Sequence, residues 1–193
     1  MVTIVRASGL TILGLTAVLF SHSCQASDGH VQVLDLAGHK VILPDPSAVV
    51  TAAIFVRSDC PISNRYASEI QRLYDDYAGS GVKLYLVYPD GDETAATIQQ
   101  HAADFALSVP SLRDPEHELV ASVQATVTPS VAVFSRQELV YMGQIDDRYV
   151  ALGQARPTAS RHRLREVLDA ASAGEVPAMQ RTKAVGCLIA DLQ

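Results

Sequence analysis

The sequence is short of positive charge and has no tryptophan. It holds 15 lysines and arginines against 21 aspartates and glutamates, for a formal net charge of −6, and it contains no basic run. Because binding to phosphate backbones requires clustered basic side chains, nucleic acid is not expected as a partner. Aromatic residues make up 6%, yet 48% of the 193 residues are hydrophobic. This is enough apolar material for the core of one globular domain, so a disordered chain is not expected.

Long apolar runs are missing except near the N-terminus. Residues 1–6 carry one positive charge, residues 7–20 are mostly apolar or small, and small residues surround positions 24–26. The apolar run is shorter than the ~18 residues that a transmembrane helix needs. The pattern predicts a signal peptide over residues 1–26, export to the periplasm or the exterior, and no transmembrane domain in the mature chain. Lipid attachment at Cys24 is the alternative, although the Leu-rich signature of such sites is absent.

Cysteine is scarce, with three residues in the chain. Removal of the signal peptide would leave Cys60 and Cys187, and an even pair in an exported protein suggests that the two meet. A bond between them would close most of the domain and contribute roughly 4 to 5 kcal/mol by the chain-entropy model. A purely structural disulfide therefore remains an alternative to a redox role. The predicted organisation is a domain over residues 27–175 followed by a tail over residues 176–193 that carries Cys187.

Hydrophobic periodicity predicts an α/β domain of alternating strands and helices. We expect a hairpin over residues 30–36 and 40–43, a buried strand over 49–56, a helix over about 60–78, a strand over 82–88, a helix over 94–107, an extended piece over 111–114, a helix over 116–125, a second hairpin over 130–134 and 139–145, and a helix over 161–173. Cys60 falls at the start of the first helix, with Pro61 in the first turn, where proline is favoured.

Two motifs carry a family resemblance. Residues 55–63, Phe-Val-Arg-Ser-Asp-Cys-Pro-Ile-Ser, resemble the active-site passage of thioredoxin-fold proteins, in which a central strand leads into a Cys-x-x-Cys turn at a helix start. Residues 128–134, beginning with Thr128-Pro129, resemble the segment that carries the cis-proline of these proteins. The lead-in over residues 34–41 and the insertion over residues 94–125 are similar to exported redoxins related to alkyl hydroperoxide reductase and thiol-specific antioxidant proteins.

The resemblance implies a thioredoxin-like three-layer fold, with a central mixed β-sheet flanked by helices and an N-terminal β-hairpin. It also implies a redox-active centre at Cys60, with Thr128 and Pro129 opposite it and Pro61 beside it as substrate-binding residues. Protein or small-molecule thiols and disulfides are the expected partners, peroxide is a further candidate, and no cofactor is expected.

Ser63 occupies the position of the second family cysteine, so a dithiol cycle within this turn is impossible. A thiol at a helix N-terminus faces unpaired N–H groups and the positive end of the helix dipole, which favour the thiolate. Arg57 would add to this effect, Asp59 would oppose it, and Ser63 can donate a hydrogen bond to the sulfur. Cys187 is then the protein thiol left to resolve an intermediate on Cys60, if its tail docks over the site rather than packing elsewhere.

Three readings of function remain open. The first is a thiol–disulfide oxidoreductase with Cys60, Cys187, Ser63 and Arg57 as catalytic candidates. The second is a non-catalytic binding module with a structural Cys60–Cys187 disulfide. The third is a peroxiredoxin-like peroxidase, although Arg57 and Ala53 stand where peroxiredoxins carry the Thr or Ser and the Pro that precede the reactive cysteine.

The remaining polar features predict little chemistry. The histidines lack metal-ligand spacing, so no metal site is expected. The loop over residues 144–149 is expected to be a solvated hairpin exit with local ion pairs.

Overall fold

The computed structural model describes residues 30–175 and 178–189 of the chain. The strands are β1 Val31–Asp35, β2 Lys40–Leu43, β3 Val50–Phe55, β4 Val82–Tyr88, β5 Ser111–Arg113, β6 Val127–Thr128, β7 Ser130–Ser135, β8 Glu138–Gly143, β9 Tyr149–Ala151, β10 Gln154–Ala155, β11 Gln180–Arg181 and β12 Cys187–Leu188. The helices are α1 Pro61–Asp76, α2 Ala95–Asp104, α3 Glu118–Val123 and α4 Arg163–Ser172.

A mixed sheet of eight strands runs through the domain in the order β11-β8-β7-β3-β4-β5-β1-β2. Strand β3 is central, parallel to β4 and antiparallel to β7. All six residues of β3 are buried. A strand that is covered on both faces reads as a continuous apolar run in the sequence, which is the pattern of this segment.

The two faces of the sheet are covered by different helices. On one face, Ala52 and Ile54 of β3 pack with apolar residues of α1, α2 and α4. On the other face, Ala53 and Phe55 pack with α3 and with Ile189 of the C-terminal tail. Because successive side chains of a strand point to opposite faces, one strand contributes to both cores. The result is the predicted three-layer, thioredoxin-like fold.

Helix α1 is the element that supports the predicted reacting residue. Its inward positions Tyr66, Ile70 and Leu73 recur every three to four residues and are buried against the sheet. Pro61 stands at its first position, where a missing backbone N–H costs nothing. Cys60 is the N-cap residue, so the end of β3 and the beginning of α1 fix its position from both sides.

Several predicted elements differ from the structure at their ends. Helix α2 ends at Asp104 rather than at residue 107, and Ala106 adopts a left-handed conformation with φ of 52°. Strand β8 ends at Gly143 rather than at residue 145. The backbone of Thr182 lies so close to Gly143 that a Cβ atom there would be 2.9 Å from the Thr182 nitrogen. The short strands β6, β9, β10, β11 and β12 were not predicted. Two or three residues do not produce a readable periodicity.

Candidate active site

Cys60 lies between the end of β3 and the beginning of α1. Its side chain is buried, with 1% of the residue exposed. The Sγ atom donates a hydrogen bond to the carbonyl oxygen of Thr128 at 3.2 Å. The Thr128–Pro129 peptide bond is cis, as the resemblance implied, and it lies between β6 and β7. The two motifs that are far apart in the sequence therefore meet at one sulfur atom.

The C-terminal tail pairs with the strand that leads to the cis-proline. Strand β12 pairs antiparallel with β6, which places Cys187 opposite Thr128 and Leu188 opposite Val127. The N–H of Ile189 donates to the Thr126 carbonyl at 3.0 Å, and the Ile189 side chain is 5% exposed in the core below α3. The tail is thus a strand of the active site rather than a loose extension.

Gly186 permits this close approach. A Cβ atom at Gly186 would lie 2.0 Å from the Thr128 carbonyl oxygen, and real side chains do not tolerate such a distance. The same carbonyl oxygen accepts the hydrogen bond from Cys60. The tail therefore lies directly against the oxygen that accepts the hydrogen bond from the Cys60 thiol.

The two cysteines are free thiols, and their pKa values are displaced in opposite directions. Burial alone would raise the pKa of Cys60, but the neighbouring Cys187 thiol and the hydroxyl and backbone N–H of Ser63 favour the thiolate by more than burial disfavours it, and the net pKa is lowered. Burial, the hydrogen bond to Cys60 and the neighbouring Cys60 charge raise the pKa of Cys187 to about 11. Cys60 is therefore the more acidic thiol of the pair, and Cys187 is the one that holds its proton more tightly.

Ser63 lies at the third position of α1, one turn from Cys60. Among the described residues, no group hydrogen-bonds to its buried Oγ while the Cys60 thiol donates to Thr128. The Ser63 hydroxyl and backbone N–H both lower the pKa of Cys60. This hydroxyl is available to donate to the sulfur once Cys60 has lost its proton.

The AhpC/TSA family matches residues 23–142. The chain belongs to the AhpC/TSA family. A search of curated proteins found no match. Similar solved structures include a hypothetical protein from Sinorhizobium meliloti (TM-score 0.69, 22% identity, 83% of this chain and 90% of that chain covered). An uncharacterized conserved protein from Geobacillus kaustophilus has a TM-score of 0.69 and 24% identity, with 83% of this chain and 87% of that chain covered.

A secreted Mycobacterium tuberculosis disulfide oxidoreductase, described as homologous to Escherichia coli DsbE, is also similar. Its TM-score is 0.53 at 13% identity, with 77% of this chain and 98% of that chain covered. Identities at this level establish the thioredoxin-like fold. Together with the family match, they make this chain a thioredoxin-like redoxin of the AhpC/TSA family.

Arg57, a catalytic candidate from the sequence, is engaged by two carboxylates in the structure. Its guanidinium is paired with Asp59 at 3.0 Å and Asp90 at 3.1 Å, and it lies 3.5 Å from the Leu188 carbonyl of the tail. Two carboxylates therefore hold the arginine against the tail. In this AhpC/TSA protein, Arg57 fastens the covering strand.

The expected solvated loop at residues 144–149 is partly wrong. Asp146 is 2% exposed and accepts hydrogen bonds from the Tyr66 hydroxyl and from the Arg148 N–H at 2.9 Å. Asp147 fits the expectation better, because it holds Arg156 in an ion pair and accepts from the Ser160 N–H at 2.7 Å. The buried Asp146 carboxylate therefore provides the acceptor for the Tyr66 hydroxyl of α1.

Three polar residues near Cys60 were missed by the sequence analysis. Glu93, Asn64 and His101 are buried or half-buried and are joined to the turn that carries Cys60. They come from the loop after β4, from α1 and from α2. No local pattern distinguishes them from surface residues, since each is one polar residue among others in its segment.

Pro61, expected to contact substrate, is exposed at the first position of α1, beside Cys60. The predicted signal peptide and Cys24 lie outside the described residues. No helix within residues 30–175 and 178–189 combines the length and the apolar character needed to cross a membrane.

Proposed function

We propose that this chain is an exported thiol–disulfide oxidoreductase in which Cys60 attacks the substrate and Cys187 resolves the intermediate. The observation that carries the proposal is the antiparallel pairing of the tail with β6, which brings Cys187 to Cys60. The fold and family membership support a redox role. Export is supported by the signal-peptide pattern over residues 1–26.

The first step is attack of the Cys60 thiolate on one sulfur of a substrate disulfide. A Cys60–substrate disulfide forms, the substrate S–S bond breaks, and the departing thiolate takes up the proton that Cys60 released. Because the sulfur is buried under the tail, the tail must move before an external disulfide reaches it. Helix α1 and Ser63 stabilise the attacking thiolate.

In the second step Cys187 loses its proton and attacks the Cys60 sulfur. A Cys60–Cys187 disulfide forms, and the second substrate thiolate leaves and takes up the Cys187 proton. The substrate has then gained two electrons and two protons, and the cysteine pair has lost them. An external dithiol must reduce the pair before another cycle, and the reverse sequence would oxidise a substrate dithiol.

The order of the two steps follows from the opposite displacements of the pKa values of Cys60 and Cys187. The neighbouring Cys60 sulfur contributes to the high pKa of Cys187. Once Cys60 is joined to substrate, its negative charge is gone, so the pKa of Cys187 falls toward the ordinary value. Burial still holds the pKa above the ordinary value, but the Cys187 thiol becomes more acidic after the first step, when it is needed.

A peroxidase cycle with the same two cysteines is the second candidate, and membership of the AhpC/TSA family favours it. In that cycle a hydroperoxide oxidises Cys60 to a sulfenic acid and leaves as an alcohol or water, and Cys187 condenses with it and releases water. Against it, Arg57 occupies a peroxide-binding position and is engaged by two carboxylates.

The test is to trap the cysteines during reaction. The reduced protein is mixed with glutathione disulfide or, in parallel, with hydrogen peroxide, then quenched in acid, alkylated and examined by mass spectrometry. We expect a Cys60–Cys187 disulfide in the native protein and a stable Cys60–glutathione adduct in Cys187→Ser. Faster oxidation by peroxide than by the disulfide would favour the peroxidase cycle.

The reduction potential of the Cys60–Cys187 disulfide distinguishes the two enzymatic functions from a non-catalytic binding module with a structural disulfide. We expect a value of about −120 to −270 mV in a graded dithiol buffer, the range of known oxidoreductases. A bond that stays closed throughout that range, or the absence of any glutathione adduct in Cys187→Ser, would contradict the proposed function.

A further inference from the structure

The turn that carries Cys60 is held by side chains from other parts of the fold. Residues 56–60 lie between β3 and α1 and belong to neither element. Within them, the Ser58 N–H donates to Glu93 Oε1 at 2.7 Å, and the Ser58 carbonyl accepts from Asn64 Nδ2 at 3.0 Å. Both backbone groups of Ser58 are therefore fixed, two residues before the reacting cysteine.

The orientation of the Asn64 amide is fixed in turn. Its oxygen lies 2.9 Å from His101 Nε2, and the opposite ring nitrogen, Nδ1, lies 2.8 Å from the Tyr88 hydroxyl. Since the Asn64 nitrogen donates to Ser58, its oxygen is an acceptor, and His101 Nε2 must carry the proton. Nδ1 of the neutral ring then accepts from the Tyr88 O–H. Burial lowers the pKa of His101, which favours this neutral ring.

These contacts form a chain of three hydrogen bonds that runs in one direction. Tyr88 donates to His101, His101 donates to Asn64, and Asn64 donates to the Ser58 carbonyl. Tyr88 and His101 are both buried. Burying polar groups is costly unless every partner is satisfied, and a satisfied network fixes one geometry. This chain ends on the backbone of the Cys60 turn.

We propose that Asn64, oriented by His101, is a positioning residue that holds the turn over residues 57–60 so that Cys60 Sγ stays beside Ser63 and Thr128. The proposal rests on the proposed function in taking Cys60 as the reacting thiol. The turn is closed by a hydrogen bond from the Cys60 N–H to the Arg57 carbonyl at 3.2 Å, so a shift at Ser58 is transmitted to Cys60. Without Asn64 the thiolate would lose the Ser63 donors that lower its pKa.

The readout is the rate at which iodoacetamide modifies Cys60 in the fully reduced protein across a pH series, followed on the Cys60 peptide by mass spectrometry. Asn64→Ala removes no charge, so any effect on Cys60 acts through the position of the turn. Because a displaced turn would separate Cys60 from the Ser63 donors, we expect the midpoint of the pH profile to rise by about 0.5 unit or more. At pH values well below the midpoint this corresponds to a rate about threefold lower.

His101 provides a rescue experiment that does not depend on Asn64→Ala folding. Glutamine at this position can donate from Nε2 to Asn64 as the histidine does, whereas phenylalanine cannot. We expect His101→Phe to raise the midpoint as Asn64→Ala does, and His101→Gln to keep it within about 0.2 unit of the native value. If His101→Gln and His101→Phe have the same profile, the proposal is wrong.

Gln71→Ala is the matched control. Gln71 is another amide on α1, and it bonds to Ser108 at 2.8 Å, so it ties the helix to the loop after α2 without touching residues 57–60. We expect its removal to lower the thermal midpoint of unfolding and leave the pH profile unchanged. A lower thermal midpoint with an unchanged pH profile in Asn64→Ala would show that Asn64 only stabilises the fold, and it would overturn the proposal. Because no substrate is present, the result is independent of whether the protein catalyses exchange.

Discussion

At the scale of single residues, the pKa values of Cys60 and Cys187 are displaced in opposite directions. Burial disfavours the charged form of each thiol, but the neighbours of Cys60 reverse this effect and those of Cys187 do not. A pKa of about 11 leaves roughly one Cys187 in ten thousand as thiolate at pH 7. Cys187 is therefore nearly inert toward electrophiles while Cys60 is reduced.

Removing the Cys187 thiol should raise the pKa of Cys60. Cys187 is the first of the groups that lower this pKa, so Cys187→Ala removes a donor, whereas Cys187→Ser keeps a hydroxyl in its place. We expect the pH midpoint for alkylation of Cys60 to move upward in Cys187→Ala and to stay near the native value in Cys187→Ser. Peptide-resolved alkylation with iodoacetamide measures both.

The reciprocal variant, Cys60→Ser, should lower the pKa of Cys187, because the neighbouring sulfur no longer hydrogen-bonds to it or repels its charge. Burial remains, so the value should stay above 9.0, the ordinary value. An unchanged Cys60 profile in Cys187→Ala, together with an unchanged Cys187 profile in Cys60→Ser, would mean that the two thiols do not interact in solution.

At the scale of elements, the C-terminal tail is a short strand that covers an edge of β6. Strand β12 gives β6 a hydrogen-bonded neighbour, Ile189 anchors it in the core, and Arg57 reaches its carbonyl at Leu188. The pairing with β6 covers two residues, and both anchors lie at its C-terminal end, at Leu188 and Ile189. Because β12 belongs to a separate two-stranded sheet, its detachment would not require the eight-stranded sheet to unfold.

Gly186→Ala should detach the tail. The added Cβ would lie 2.0 Å from the Thr128 carbonyl oxygen, so β12 cannot keep its register. We expect Cys60 to be alkylated faster at a given thiolate fraction, disulfide formation with Cys187 to be slower, and the free energy of unfolding to fall by about 1 to 3 kcal/mol. Alkylation kinetics and urea denaturation provide the measurements.

Gly91→Ala is the control for this variant. Gly91 also lies in a connecting segment, but a Cβ there would meet its nearest neighbour, the Pro115 carbonyl oxygen, at 4.0 Å. We expect native alkylation rates and native disulfide formation. If Gly186→Ala matched Gly91→Ala in both, the pairing of the tail with β6 would not govern access to Cys60.

At the scale of the whole molecule, the cysteine pair connects the end of the chain to the first strand–helix turn of the domain. A disulfide there would close a loop of roughly 130 residues, which includes five of the eight strands of the main sheet. Because a cross-link of this length restricts the unfolded chain strongly, oxidation should stabilise the folded protein by up to about 5 kcal/mol.

Urea denaturation of the oxidised and reduced forms at pH 7 tests this effect. We expect a higher midpoint for the oxidised form and no difference between oxidising and reducing conditions in Cys187→Ser. Equal midpoints for the two forms of the native chain would indicate that the bond strains the fold by as much as it restricts the unfolded state.

The sequence by itself determined the features that depend on neighbours along the chain. The buried run of β3, the three- and four-residue spacing in α1 and the proline at its start follow from local periodicity and backbone chemistry. The motifs around Cys60 and Thr128-Pro129 likewise predicted the thioredoxin-like fold. The replacement of the second cysteine by Ser63 is a fact of the sequence and already excludes a dithiol within the turn.

Only the tertiary structure decided which distant groups act on Cys60. The pairing of Cys187 with Thr128 involves two short strands whose residues have no periodicity, and the contact exists because the tail crosses back over the domain. The support of Ser58 by Glu93 and Asn64 arises in the same way, from segments that meet only when the sheet forms. Hydrogen bonds and pKa values depend on distances of a few ångströms between atoms, and such distances between remote residues are set by the packing of the whole domain.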